Sequence, residues 1–168
     1  RAKQLILLAA RPGQGKTSLA MDIGWHVAKN LDEHVLVISL EMAIEELTER
    51  MVSSIARIDS KRLKHPHLLA SLTHQEHERM ALAMSQLRDS KLKINDCVGQ
   101  SVSQIASLAR RVKSRDGLGL LIIDYMGKIR KPEGRGFNNT NEQITHISNA
   151  LKELSGELRI PVLCLHQL

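Results

Sequence analysis

An apolar run, Leu5–Ala10, leads without a break into Arg11-Pro12-Gly13-Gln14-Gly15-Lys16-Thr17-Ser18 and then into helical periodicity. Two glycines at that spacing let backbone N–H groups converge on an anion, and a helix opening directly behind them adds the positive end of its dipole. Lysine and threonine in the next two positions complete a phosphate-binding set. Lys16 can reach the outer phosphates of a nucleotide such as ATP, and the Thr17 hydroxyl can ligate Mg²⁺. The general pattern has a further glycine where this chain has Ala10. Strand, loop and helix in this order mark Ala10, Arg11, Pro12, Gly13, Gln14, Gly15, Lys16, Thr17 and Ser18 as the residues that hold phosphate. The bland alternative is a chance glycine turn ahead of a helix.

A metal-bound phosphate also needs an acid. Leu120-Leu121-Ile122-Ile123-Asp124 is a buried-strand pattern ending in a carboxylate. In a parallel α/β sheet ligands gather at the carboxyl ends of the strands, which puts Asp124 with Thr17 as the magnesium pair. Val35–Leu40 likewise ends in Glu41, and the last apolar run ends in His166-Gln167-Leu168. From the residues alone, Glu41 is either a group that orients an attacking water or a favourable charge ahead of the next helix. Gln167 either senses a terminal phosphate by donating a hydrogen bond or simply ends its strand.

Parallel strands must position these residues. The apolar runs Gln4–Ala10, His34–Leu40, Leu92–Asn95, Leu118–Asp124 and Pro161–His166 alternate with helical stretches, the signature of βαβ units. Most are apolar throughout, as expected of strands covered on both faces. Leu19, Ile23 and Val27 form one stripe on the first helix, and Leu47, Met51, Ile55 and Ile58 one on the second. Thr73 with Glu76, and Ser101 with Gln104, are capping-box signals. Met80, Met84 and Leu87 follow the first box, and Ile105, Leu108 and Val112 follow the second. Ile144, Ile147, Leu151, Leu154 and Leu158 line the last helix. The pattern predicts an α/β three-layer sandwich around a mainly parallel five-stranded sheet, as one domain over residues 1–168.

Hydrophobic content of 42% and charged content of 25% are those of a soluble globular chain, and the net charge of +6 suits an anionic partner. With one Trp, one Tyr and one Phe, stacking platforms for bases are scarce, so nucleic-acid contact would rest on charge and backbone groups. No apolar stretch is long enough to span a bilayer and no signal peptide is evident, which excludes membrane insertion by a helix. Cys97 and Cys164 lack metal-ligand spacing and suit a reducing cytoplasm. The eight histidines include the close pairs His65/His67 and His74/His77, but no cysteine or paired carboxylate completes a ligand set. The basic cluster Lys61, Arg62 and Lys64 reads as a solvated linker.

Taken together, Ala10–Thr17, Ser39-Leu40-Glu41-Met42, Ile122-Ile123-Asp124-Tyr125 and His166-Gln167-Leu168 resemble the helicase domain of DnaB-type replicative helicases, over essentially the whole chain. Arg110-Arg111 and the approach to Ile160-Pro161-Val162 belong to the same likeness, and Ala10 is usual in that family. The resemblance implies a RecA-like fold that hydrolyses ATP with Mg²⁺ and, as a homo-hexameric ring in the cytoplasm, translocates on single-stranded DNA. It also implies primase and a helicase loader as partners. Carried over, Lys16 and Thr17 hold phosphate and metal, Glu41 activates water, Asp124 organises the metal and Gln167 reads the γ-phosphate. A RecA- or RadA-like recombination ATPase, a non-catalytic helicase remnant and a small-molecule kinase are the alternatives; Ser-Leu-Glu-Met argues against the first.

The chain departs from the family in Met126-Gly127-Lys128, where Leu-Gln-Leu is usual. The family's arginine finger and best-known DNA loop follow the Gln-Leu pair, and its primase-binding domain precedes this region. The sequence therefore reads as a fragment, incomplete at both ends and a weak ATPase alone, since such a finger is worth on the order of 10³ to 10⁵ in rate. Lys128, Arg130, Lys131 and Arg135 in the polar segment Lys128–Asn141 are candidate contacts to a DNA backbone; a solvated loop is the alternative.

Overall fold

The computed structural model describes residues 3–130 and 140–168. The chain divides into two compact units, residues 1–41 with 91–168 and residues 42–90.

The first unit is built on five parallel strands: β1 (Leu5–Ala10), β2 (Val35–Ser39), β3 (Leu92–Asn95), β4 (Leu120–Asp124) and β5 (Val162–Gln167). Their order across the sheet is β1-β5-β4-β2-β3. All four strand pairs are parallel, with Leu5 opposite Val162, Leu121 opposite Val162 and Val35 opposite both Leu120 and Leu92. Helix α1 (Lys16–Asn30) covers one face, and α6 (Val102–Asp116) and α7 (Thr140–Leu158) cover the other. This is the expected α/β sandwich.

Side-chain alternation assigns the faces. Leu36, Ile38, Leu121, Ile123, Val162 and Cys164 pack with Ile105, Ala109, Ile147, Leu151 and Leu154 of the two-helix layer. Every residue of β2 and β4 is buried, which is why these strands read as unbroken apolar runs. β1 differs. It is an edge strand among the described residues, and Ile6 and Leu7 are 44% and 52% exposed. A run of aliphatic residues alone does not reveal whether both faces are covered.

The helix periodicities hold for α6 and α7, and both capping boxes form. The stripe on α1 is different. Leu19 and Ile23 are exposed, whereas Ala20, Met21, Gly24 and Ala28 face the sheet. Small residues win because the helix lies close to the strands: a Cβ on Gly24 would stand 3.0 Å from Ile122 Cδ1. At the end of α7, buried Ser155 donates to the Ile160 carbonyl at 2.7 Å, fixing the turn into β5.

The second unit is helical: α2 (Ile44–Ala56), the short α3 (Ser60–Lys64) and α4 (Pro66–Leu69), and α5 (His74–Arg88). Val52, Ala56, Ile58, Leu72 and Ala83 form its small core, with Ile55, Leu63, Met80 and Leu87 packed around them. Met84, placed on the buried stripe by periodicity, is 55% exposed because Ala83 takes that position. Arg62 is an ion-pair partner rather than a free linker charge, bonding Glu76 and, at 3.2 Å, the Ser71 carbonyl.

The Thr73 backbone N–H, followed by the Arg62 guanidinium, holds the Glu76 carboxyl down to about 2. A carboxyl lowered in the folded state stabilises above its unfolded value and loses that contribution as pH falls through the folded one. We therefore expect this unit to lose stability between about pH 4.5 and 2. An NMR titration of the Glu76 carboxyl should have its midpoint near 2; a midpoint in the ordinary carboxylate range would remove the effect.

Candidate active site

The glycine-rich segment between β1 and α1 forms the centre of the site. Gly13 and Gly15 have φ values of 74° and 77°, a region that side-chain-bearing residues rarely adopt. Gly15 is also the N-cap of α1, so the helix opens with the amides of Lys16, Thr17 and Ser18. No side chain caps this terminus and its first turn holds no acid, leaving the positive dipole end uncompensated. Arg11, Pro12, Gly13, Gln14, Gly15 and Ser18 are exposed around it, while Ala10, Lys16 and Thr17 are half-buried.

Lys16 does not point into solvent. Its ammonium donates to the Ala10 carbonyl at 2.8 Å and to the Arg11 carbonyl at 3.3 Å, which holds the charge beside the loop. The Thr17 hydroxyl donates to Asp124 Oδ2 at 2.6 Å, joining the start of α1 to the end of β4. The expected metal pair is therefore adjacent. Asp124 is 5% exposed, and a buried carboxylate without a cation is costly unless hydrogen-bonded. Hard oxygen donors of this kind suit Mg²⁺, which retains waters and phosphate oxygens as its other ligands.

Glu41 and Gln167 also reach this edge of the sheet. Ser39 lies opposite Asp124 in register, and the Leu40 N–H donates to the Asp124 carbonyl at 2.7 Å. Exposed Glu41 follows directly. Gln167 lies opposite Ala10, and the next amide, Leu168 N–H, donates to the Ala10 carbonyl at 3.3 Å. Ala10 therefore binds both Lys16 and the end of β5, a role its side chain could not have signalled.

Two further residues escape sequence reasoning. Ser39 is fully buried beside Asp124 within a motif where only Glu41 invites attention. Cys164 lies on β5, next to β4; burial pushes its thiol up to about 12, and the nearby Asp124 charge raises it further. It therefore stays neutral beside the acid.

Met126, Gly127 and Lys128 form a 3₁₀ turn after β4. Met126 is 1% exposed in the core, and a Cβ on Gly127 would stand 2.7 Å from the Tyr125 ring. The departure from Leu-Gln-Leu is thus a packed turn that requires glycine beside Tyr125. Lys128 and Arg130 are exposed; Lys131 and Arg135, also singled out from the sequence, lie outside the described residues. No described helix is long and apolar enough to cross a membrane.

A parallel sheet with a phosphate-type loop after β1, a buried acid ending β4 and strand order β1-β5-β4-β2-β3 defines a class, the RecA-like ATPase domains. Residues 1–168 match the DnaB-like helicase C terminal domain family over their full length, and the chain belongs to it. It is 38% identical over 164 residues to replicative DNA helicase DnaC of Bacillus subtilis (strain 168), covering 98% of this chain and 35% of that protein. The chain thus spans about a third of the length of that relative. A solved helicase ATPase domain superposes with a TM-score of 0.90 at 29% identity, over all of this chain and 58% of the other. A DnaB-like replicative helicase, solved in a study of its interactions with primase, gives 0.91 at 28%, over all of this chain and 39% of that one.

Proposed function

We propose that this domain is the ATP-hydrolysing motor of a replicative DNA helicase, acting within a longer protein that moves on single-stranded DNA. The observation that carries this reading is the Thr17–Asp124 hydrogen bond of 2.6 Å beside an uncapped, glycine-flanked helix N-terminus. Ala10–Ser18 cradle the phosphates of ATP. Lys16 moves from its two carbonyls to the β- and γ-phosphates, exchanging neutral acceptors for charged ones. Thr17 and Asp124 hold Mg²⁺, directly or through water. When bound, that ion neutralises charge on the phosphates and fixes their orientation. Glu41 takes a proton from the attacking water, and Gln167 donates a hydrogen bond to the γ-phosphate.

The longer assembly is a homo-hexameric ring working in the cytoplasm with single-stranded DNA, primase and a loader. Family membership supports this, as does the likeness to a helicase whose interactions with primase have been studied. The loop after β4 supplies basic residues, beginning with Lys128 and Arg130, for the DNA backbone.

Calorimetry with Mg-ATP and Lys16→Ala tests the reading. Charge-assisted hydrogen bonds contribute about 1.5–3 kcal/mol, so affinity should fall roughly 10- to 100-fold. Thermal stability should stay unchanged, because Lys16 bonds only two loop carbonyls. A well-folded parent chain that binds no nucleotide, or a variant that binds as well as the parent, would overturn the assignment.

A further inference from the structure

The loop after β3 and the outer face of α6 enclose an open groove of roughly 420 Å³ that belongs to neither the phosphate loop nor the segment after β4. Its lining is polar: Asn95, Gln100, Ser103, Gln104, Ser107 and Arg111. Ser103, Ser107 and Arg111 stand on successive turns of α6, a stripe about 12 Å long. Arg111 is exposed and makes no hydrogen bond or ion pair among the described residues.

Gln100 defines the other end. The Cys97 backbone N–H donates to Asn95 Oδ1, so that oxygen is an acceptor, and Gln100 must present its NH₂ to it, at 3.1 Å. That leaves Gln100 Oε1 buried and without a donor. A buried acceptor left unpaired is costly, so the groove calls for a ligand that brings an N–H to one end. At the other end, the exposed guanidinium calls for an anion.

We propose that this groove holds one nucleotide unit of a single-stranded polynucleotide, with Arg111 on a phosphate and Gln100 Oε1 accepting from a base N–H. This rests on the reading of the domain as a motor on single-stranded DNA and adds a contact away from the nucleotide site. A nucleotide carries both an anion and base N–H donors. The groove has no aromatic platform, so binding is through charge and amides, and phosphate contacts supply most of the affinity. Continuity favours a strand over a free nucleotide. Arg130 N–H donates to the Gln100 carbonyl at 2.9 Å, and Ser101 bridges Arg130. The groove therefore joins the exposed basic segment Lys128–Arg130, along which a backbone can continue.

Cys97, exposed on the same groove, is a built-in reporter, because the chain's only other thiol is buried. The test measures maleimide labelling of Cys97 in the full 168-residue chain, without ATP, with a 20-mer of thymidylate or with thymidine monophosphate. The oligonucleotide should slow labelling at least about fivefold when saturating. Arg111→Ala should weaken oligonucleotide binding and reduce its salt slope by about 0.7, one phosphate on a single strand. Arg111→Lys should recover most of the affinity, and Ser107→Glu, which adds a negative charge to the groove, should abolish protection. Absent binding, unprotected Cys97 in a bound complex, or an unaltered slope for Arg111→Ala would each overturn the groove assignment. Equal protection by the mononucleotide at the same concentration would overturn the strand. None of these results bears on Mg-ATP binding through Lys16, so failure here is separable from failure of the motor reading.

Discussion

Glu41→Gln should bind Mg-ATP as the parent does and hydrolyse it about 10² to 10⁴ times more slowly, the usual range for losing a positioned general base. Glutamine keeps the shape and removes the proton acceptor. The competing role, a charge favouring the start of α2, is weakened by the structure. Ala43 is the N-cap of α2, so Glu41 lies outside the helix, and Glu45 and Glu46 already occupy its first turn. Glu41 instead follows directly on the register that sets Ser39 opposite Asp124. Single-turnover hydrolysis with protein in excess over labelled ATP measures the step even where the rate is low. Unchanged hydrolysis with unchanged binding would return Glu41 to the role of a solvent-facing charge.

The largest structural effect is expected in the two-helix layer. Leu151 is fully buried at the centre of α7, among the strand residues that support Asp124 from behind. Leu151→Ala should cost about 2–5 kcal/mol through lost burial and an unfilled cavity. For a chain of this size that corresponds to a fall in Tm of roughly 5–15 °C. The single tryptophan, Trp25 on α1, lies in the same compact unit and reports its unfolding by fluorescence. Leu31→Ala, at a position 61% exposed, is the control and should change stability by less than about 0.5 kcal/mol. Equal shifts for the two variants would mean that α7 is not part of the core that unfolds cooperatively.

What sequence reasoning captured, it captured through chemistry with few alternatives. Glycine at 13 and 15 is read correctly because the backbone there needs positive φ, and Asp124 because a carboxylate rarely ends four buried aliphatic residues without purpose. Both capping boxes form as their spacing requires. The misreadings have a common physical origin. On α1, periodicity favoured the large residues Leu19 and Ile23, but proximity to the sheet selected Ala20, Gly24 and Ala28. On β1, aliphatic content suggested cover on both faces, whereas the strand lies at the end of the sheet order. Which side chain meets a neighbour is decided by distances that only the assembled fold supplies. The groove at Gln100 and Arg111 was illegible for the same reason, since an orphaned amide is defined by what fails to reach it.

The order of strands in the sheet carries a consequence for biosynthesis. β1, which leads into the phosphate loop, is the first of the five strands to leave the ribosome, yet its neighbour in the sheet is β5, the last of them. Closing so distant a contact is slow, and it must wait until β5 has been made. During translation the aliphatic edge of β1 stays unpaired while β2, β3 and β4 can already assemble, and such an edge invites association with other nascent chains. The loop translated ahead of the other four strands is the one whose supporting strand is seated last.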